Sequence, residues 1–383
     1  MRIGILTLPL CTNYGGNLQA YALQTVLQRM GHEVVVLDVR EKTIQLPPLS
    51  DRIWTYIKRI LLRLVGKYHN VILYSTAIRN AKIKVRHINK FIYSYINRAI
   101  VDNLDDAKGL NLDAIVVGSD QVWRGCYFRF FWEKDMAAAF AGFLEEPIIR
   151  IAYAASFGTD EWEFTDEETT SCRELIRKFS MVSTREVSGL ELCRKYLGCN
   201  DCHHVLDPTM LLDRTDYIKL SDAAGLPHSE DSLLCYILDE TDYKLSAVRE
   251  VVAQRGLKPC DVNFQDRSFF MRLPKDGGYP PIEKWLRGFE DATMVITDSF
   301  HACVFSILFN KPFIVFGNAE RGMTRFNSLL STFGLEKCLI ADKGNFEIPI
   351  VDYNWERVNK ILAERKAECW QLLSRAISEG KKL

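Results

Sequence analysis

The segment IGILTLPLCTNYGGNLQAYALQTVLQRMGHEVVVLDV, residues 3–39, decides the fold. Ile3 to Leu8 is a continuous apolar run, the pattern of a strand buried on both faces. A polar, glycine-containing turn follows over Cys11 to Asn17, and helical periodicity then runs from about Leu18 to Met30. Gly31 is placed to end that helix, and Glu33 to Leu37 reads as the next strand. This is a βαβ unit, which crosses over right-handed into a parallel sheet.

Working outward, the same rhythm returns. Ala114 to Val117 reads as a strand ending in Gly118-Ser119-Asp120, and Ile149 to Ala154 as one ending in Ser156-Phe157-Gly158. An acidic helix from about Glu167 to Phe179 precedes a short strand at Met181 to Ser183. A polar loop near Ser229 to Asp231 marks a domain boundary. Beyond it, Leu233 to Leu238, Met294 to Thr297 and Phe313 to Phe316 read as strands. Phe300 to Phe309 reads as a helix, as does the stretch around Thr324 to Thr332, and Tyr353 to Ile377 forms one amphipathic helix. The expectation is an α/β protein of two Rossmann-like domains, 1–228 and 229–345, facing a cleft, with a C-terminal helix over 346–383.

Residues 41–100 interrupt the rhythm with twelve Lys or Arg against Glu41 and Asp51, a local net charge of +10. Ile53, Ile57, Ile60 and Leu64 share one helical face, and a second helix is expected from about Ala81 to Arg98. The plain expectation is a basic helical insertion packed on the first domain, its cations reaching past apolar stems. The sharper alternative is peripheral contact of residues 52–98 with anionic lipid headgroups.

The whole chain carries 49 basic and 49 acidic residues, so no net charge draws it to nucleic acid. No apolar run approaches the ~20 residues needed to span a bilayer. MRIGILTLPL lacks the regions of a signal peptide, which places the chain in the cytoplasm, or peripherally at the inner face of the membrane. Of eleven cysteines only Cys199 and Cys202 form a C-x-x-C pair, followed by His203 and His204. A structural zinc site needs four ligands, and no second paired cluster exists, so incidental thiols and no metal are expected.

Ligands of open parallel sheets bind beyond the carboxyl ends of the strands. That rule selects Asn13, Tyr14, Gly15, Gly16 and Asn17, then Asp120, Ser156, Arg185, Asp207, Asp298, Ser299, His301, Arg321 and Arg325. The 13–17 turn opens a helix, whose N-terminus suits an anion or a hydroxyl-rich ligand. It is not the G-x-G-x-x-G dinucleotide fingerprint. Arg321 and Arg325, spaced i, i+4, suit carboxylate or phosphate.

Several of these segments together resemble the polysaccharide pyruvyltransferase family. They are Gly4 to Thr7 with Asn13 to Gln24, Val117 to Trp123, Tyr153 to Gly158, Arg185-Glu186, Val205 to Thr209, Thr297 to His301 and Arg325 to Leu330. The resemblance implies a GT-B-like fold and phosphoenolpyruvate as donor substrate, without a cofactor. The product would be a pyruvate ketal on two hydroxyls of a sugar, in a cell-surface polysaccharide or its lipid-linked precursor. It also implies His301 as general acid, with Asp120 as candidate base for the sugar. Family members carry Arg two positions before the histidine, where this chain has Ser299. Arg185, Arg321 or Arg325 would then hold the donor beside Ser299, and Asn13, Tyr14, Gly15, Gly16, Asn17 and Ser156 would meet the acceptor. A nucleotide-sugar glycosyltransferase of the same shape and a non-catalytic glycan-binding homologue are the alternatives.

Overall fold

The computed structural model describes residues 1–39, 49–64, 74–145, 147–262, 278–317, 322–341, 344 and 346–380. The first half runs β1 (Arg2–Leu6), α1 (Tyr14–Arg29), β2 (Glu33–Val39), α2 (Leu49–Leu64), α3 (Tyr74–Tyr95) and β3 (Arg98–Val101). It continues with β4 (Ala114–Val117), α4 (Gly125–Trp132), α5 (Met136–Ala139), β5 (Ile149–Ala155) and α6 (Asp166–Ile176). Then come β6 (Phe179–Thr184), α7 (Val187–Leu197), β7 (Cys202–His204) and α8 (Arg214–Ala223). The second half holds β8 (Ser232–Tyr236), α9 (Asp242–Arg255), β9 (Lys258–Asp261), α10 (Ile282–Asp291) and β10 (Ala292–Thr297). It closes with α11 (Phe300–Leu308), β11 (Phe313–Phe316), α12 (Thr324–Phe333), β12 (Leu339–Ile340) and α13 (Trp355–Ser378).

Both sheets are parallel throughout, in the orders β3-β2-β1-β4-β5-β6-β7 and β12-β11-β10-β8-β9. The apolar run of β1 sits inside the first sheet, beside its central strand β4, with Ile3 aligned to Val34 on one side and Ala114 on the other. Ile3, Ile5 and Leu6 are fully buried, as a strand flanked by helices on both faces must be. Strand order reverses between β1 and β4 in the first sheet and between β8 and β10 in the second. The loops that leave those four strands therefore diverge and open a crevice at each reversal.

The helix after β1 starts earlier than its apolar periodicity indicates. Asn13 caps α1 by accepting the Gly16 N–H at 3.1 Å, so the glycines lie inside its first turn. The end matches the expected stop, with Gly31 at φ +88° just past the cap.

The basic stretch departs from expectation. Its end is a strand of the sheet: β3 pairs with β2, and Arg98 meets Asp38 at 2.7 Å. Helix α3 packs as expected, burying Ile88, Phe91 and Ile92. Helix α2 does not, because Ile53, Ile57 and Ile60 are all exposed. One helix suffices to cover the β2-to-β3 crossover, and α3 fills that place. Residues 40–48 and 65–73 of the stretch lie outside the described residues.

At the other end of the chain, α13 recrosses to the first sheet. Cys369 Sγ accepts the Leu206 N–H, and Arg365 donates to the His204 carbonyl at 2.6 Å.

Candidate active site

Both crevices open into one cavity of about 660 Å³. From the β1 and β4 loops it receives Asn13, Gly16, Asp120 and Gln121; from the β8 and β10 loops, Tyr236, Leu238 and Ser299. His301 on α11 and Arg325 on α12 add to its polar lining, as do Thr12 and Asp298.

The first-half loops are held by side chains. Gln19 donates to Thr7 Oγ1 and to the Gly16 carbonyl at 2.9 Å, while its oxygen accepts the Ser119 N–H at 3.0 Å. This ties the ends of β1 and β4 together and presents Asp120 beside Asn13, whose Nδ2 lies 3.5 Å from Asp120 Oδ2. In the second half, Asp298 is buried and accepts the N–H groups of Leu238 and Asp239, and Lys244 Nζ at 2.9 Å. Asp298 thus fastens the β8 loop to the β10 loop and places Ser299 and His301 at the cavity wall. Ser299 occupies the cap position of α11 without a side-chain capping bond.

The two halves meet at His301. Its side chain abuts Gly15, where an added Cβ would overlap the ring at Nδ1 and Cγ. Only glycine permits that approach. On its other side, His301 Nε2 stands 3.6 Å from Asp207 Oδ2. The Asp207 carboxylate also accepts Arg185 Nη1 at 2.8 Å, and the Thr209 hydroxyl and N–H. Burial pushes Asp207 up, but His301, Arg185 and Thr209 outweigh it and hold the group well below the usual carboxylate range.

The arginines divide. Arg185 is buried beneath the cavity, shared between Asp207 and Asp120 Oδ1 at 3.4 Å, with its guanidinium 4.5 Å above the Phe300 ring. Burial lowers the Arg185 pKa, but Asp207, Asp120 and Glu186 raise it above its ordinary value. Arg325 lines the cavity and covers Phe300 from 5.5 Å. Burial and then Arg185 push Arg325 down to about 10, so it stays cationic at neutral pH. Arg321 lies outside the described residues.

Of the residues expected to meet an acceptor, Asn13 and Gly16 line the cavity. Gly15 backs the histidine. Tyr14 turns into the contact between the halves, donating to the Pro280 carbonyl at 2.7 Å and stacking near Tyr236. Asn17 donates to the Cys11 carbonyl at 2.7 Å, and Ser156 is fully buried with its N–H on the Asp120 carbonyl. These three position the loops; proximity in sequence to the turn does not place a side chain in the cleft. Two N–H groups of the turn are also taken, since Asn13 accepts Gly16 through its side chain and Asn17 through its carbonyl.

Sequence reasoning missed the aromatic wall of Tyr127, Phe130 and Phe131 on α4, with Phe130 and Phe131 exposed at the rim. The run Tyr127 to Trp132 holds five aromatics in six residues, and that density was the available signal. Asp207, selected by the strand-end rule, carried no assigned role, although Val205 to Thr209 was among the matching segments.

All eleven cysteines are free thiols. Burial pushes the Cys199 thiol up to about 11, which disfavours a reactive thiolate. Away from the cleft, Asp222, His228 and Glu290 come together, but Arg287 already bonds all three.

Residues 13–320 match the sequence profile of the polysaccharide pyruvyl transferase family. No curated protein sequence matches the chain. Among solved structures, it is similar to the UDP-GlcNAc 2-epimerase of Neisseria meningitidis bound to UDP-GlcNAc. That alignment has 8% identity and a TM-score of 0.48 and covers 99% of this chain and 100% of that one. The Methanocaldococcus jannaschii UDP-GlcNAc 2-epimerase in complex with UDP-GlcNAc and UDP is similar at 12% identity and TM-score 0.47, covering 99% and 100%. A spinosyn forosaminyltransferase aligns at 13% identity and TM-score 0.42, covering 99% and 95%.

Proposed function

The chain belongs to the polysaccharide pyruvyl transferase family, and from that premise we propose that it transfers pyruvate from phosphoenolpyruvate to two hydroxyls of a sugar, closing a cyclic ketal. The observation that carries this reading is the convergence of His301, Arg325 and Asp120, from both halves of the chain, on one cavity.

His301 donates a proton to the methylene carbon of the donor, which becomes a methyl group and leaves C2 electron-poor. One sugar hydroxyl attacks C2 and Asp120 accepts its proton. The C2–O bond to phosphate then breaks, and the second hydroxyl closes the ring. Over the cycle two hydroxyl protons leave the sugar: one replaces the proton given by His301, the other departs with inorganic phosphate. Asp207, facing Nε2, positions the imidazole as a partner and is not in contact with substrate. Arg325 holds the anionic donor beside Ser299, where other members of the family supply a cation from the position of the serine. Arg185, shared between two carboxylates, sets the position of Asp120 instead of binding donor. Tyr127, Phe130 and Phe131 supply an apolar wall for the sugar, and Asn13 a polar contact.

The acceptor belongs to a cell-surface polysaccharide or its lipid-linked precursor, and the enzyme works in the cytoplasm, at the inner face of the membrane when the sugar is lipid-linked. The test is calorimetric titration of the purified protein with phosphoenolpyruvate, with UDP and GDP as controls, followed by phosphate release on a panel of sugars. Selective binding of phosphoenolpyruvate is expected. Binding of a nucleotide in its place would reassign the chain to nucleotide-sugar transfer.

A further inference from the structure

Helix α2 carries its apolar side outward. Leu49, Ile53, Trp54, Ile57, Ile60 and Leu61 are between 42% and 68% exposed. At 100° per residue these six positions fall within one arc of about 140°, wider than the stripe that a surface helix normally buries. Trp54 is the most exposed of them at 68%. Isolated exposed apolar residues need no explanation, but a continuous face of six on one helix does.

The neighbouring helix explains which surface that face meets. In α3, Ile88, Phe91 and Ile92 turn inward to the core, while Arg79, Lys82, Arg86 and Lys90 are exposed. These four recur at spacings of three and four, so they form one basic stripe opposite the buried face. Lys58 on α2 is exposed as well. The chain as a whole is neutral, so this charge is concentrated on the crossover.

We propose that α2 and α3 form a docking surface for an anionic phospholipid bilayer, with α2 lying in the headgroup layer, its apolar face inward, and the α3 stripe held against the negative surface. The chemistry fits on both counts. An apolar arc with an aromatic residue, flanked by cations, is the pattern of helices that lie in the interface plane. Basic residues near such a surface add electrostatic attraction. At 16 residues α2 is about 24 Å long, and no described helix is long and apolar enough to cross a membrane. The surface lies on the bilayer and does not span it.

This inference takes only its motive from the proposed lipid-linked acceptor. The test uses neither donor nor sugar, so its failure and that of the transfer reaction are separable. The full chain is sedimented with vesicles of phosphatidylcholine alone and of phosphatidylcholine doped with phosphatidylglycerol, at low and high salt. Binding is expected to the doped vesicles at low salt, weakening at high salt. The pairs Trp54→Ala with Ile57→Ala and Lys82→Ser with Arg86→Ser should each weaken it by roughly tenfold or more. All the substituted side chains lie outside the core, and circular dichroism checks that each variant keeps the fold. Wild-type protein that stays in the supernatant would overturn the proposal, as would binding indifferent to both pairs. A dimer in velocity sedimentation that Trp54→Ala with Ile57→Ala dissociates would assign the face to a second copy and overturn it equally.

Discussion

In the second half of the molecule, Lys244 reaches Asp298 at 2.9 Å, and Asp298 also accepts the N–H groups of Leu238 and Asp239. All these partners belong to the loops and helix of one sheet. In the first half, Arg185 reaches Asp207 at 2.8 Å, and the same carboxylate faces His301 from the opposite sheet. Both pairs are buried at the carboxyl ends of parallel strands, yet one closes on its own half while the other spans the cleft. A buried ion pair is weak grounds for stability. What separates these two is therefore that a third ionisable group from the other half, His301, leans on the Arg185–Asp207 pair.

The sharpest way to break this comparison is to neutralise each carboxylate. Asp207→Asn leaves buried Arg185 with the longer Asp120 contact at 3.4 Å, and Asp298→Asn removes the buried carboxylate facing Lys244; each should cost up to about 3–5 kcal/mol by urea unfolding. Asp207→Asn should lower the turnover of the folded protein further than Asp298→Asn, which reaches His301 only through its loop; equal turnover in the two variants would erase the distinction. Acidification sharpens the point. Asp207 is held below its unfolded value, so its contribution is present at neutral pH and is lost as pH falls below the unfolded value of about 4, toward its lower folded value. Unfolding free energies measured at neutral and acidic pH should diverge less in Asp207→Asn than in wild type.

Next in size, His301→Ala should lower turnover about 100-fold or more, measured as phosphate release. Gly15→Ala should lower it in the same direction with residue 301 unchanged, because the new methyl group would displace the imidazole ring. Near-normal turnover in a folded His301→Ala variant would remove the histidine from proton transfer. Arg325→Ala should raise the Michaelis constant for phosphoenolpyruvate by roughly tenfold or more, the loss of charge-assisted hydrogen bonds. Arg185→Ala should instead show first as lost stability. The smallest effect is Tyr14→Phe, expected to cost about 1 kcal/mol through the Pro280 bond. Its acceptor constant should not change.

The two helices of the basic crossover show where reading the sequence stops. Both are basic with an apolar stripe, and both could be expected to pack. Periodicity records that a face is apolar but not whether a place on the sheet is vacant. α3 takes the place between β2 and β3, and α2 is left outside. The same limit applied to the turn after β1. Its composition marked a ligand-facing loop, but Asn13 and Gly16 face the cavity while the side chains of Tyr14 and Asn17 are drawn away by the Pro280 and Cys11 carbonyls.

Local order along the chain was legible from residues alone: the apolar runs of parallel strands, the helices between them, and the polar residues that end them. His301, Asp120 and Arg325 were selected by that rule before any coordinates, because strand direction sends every carboxyl-end loop to one edge. Tertiary structure decided how those loops share their charges. Asp207 lies 94 positions before His301 in the chain, so no periodicity could pair them. Arg185 is held by Asp120 and Asp207 from other strand ends of its own sheet, whereas Arg325 reaches the cavity from the other half.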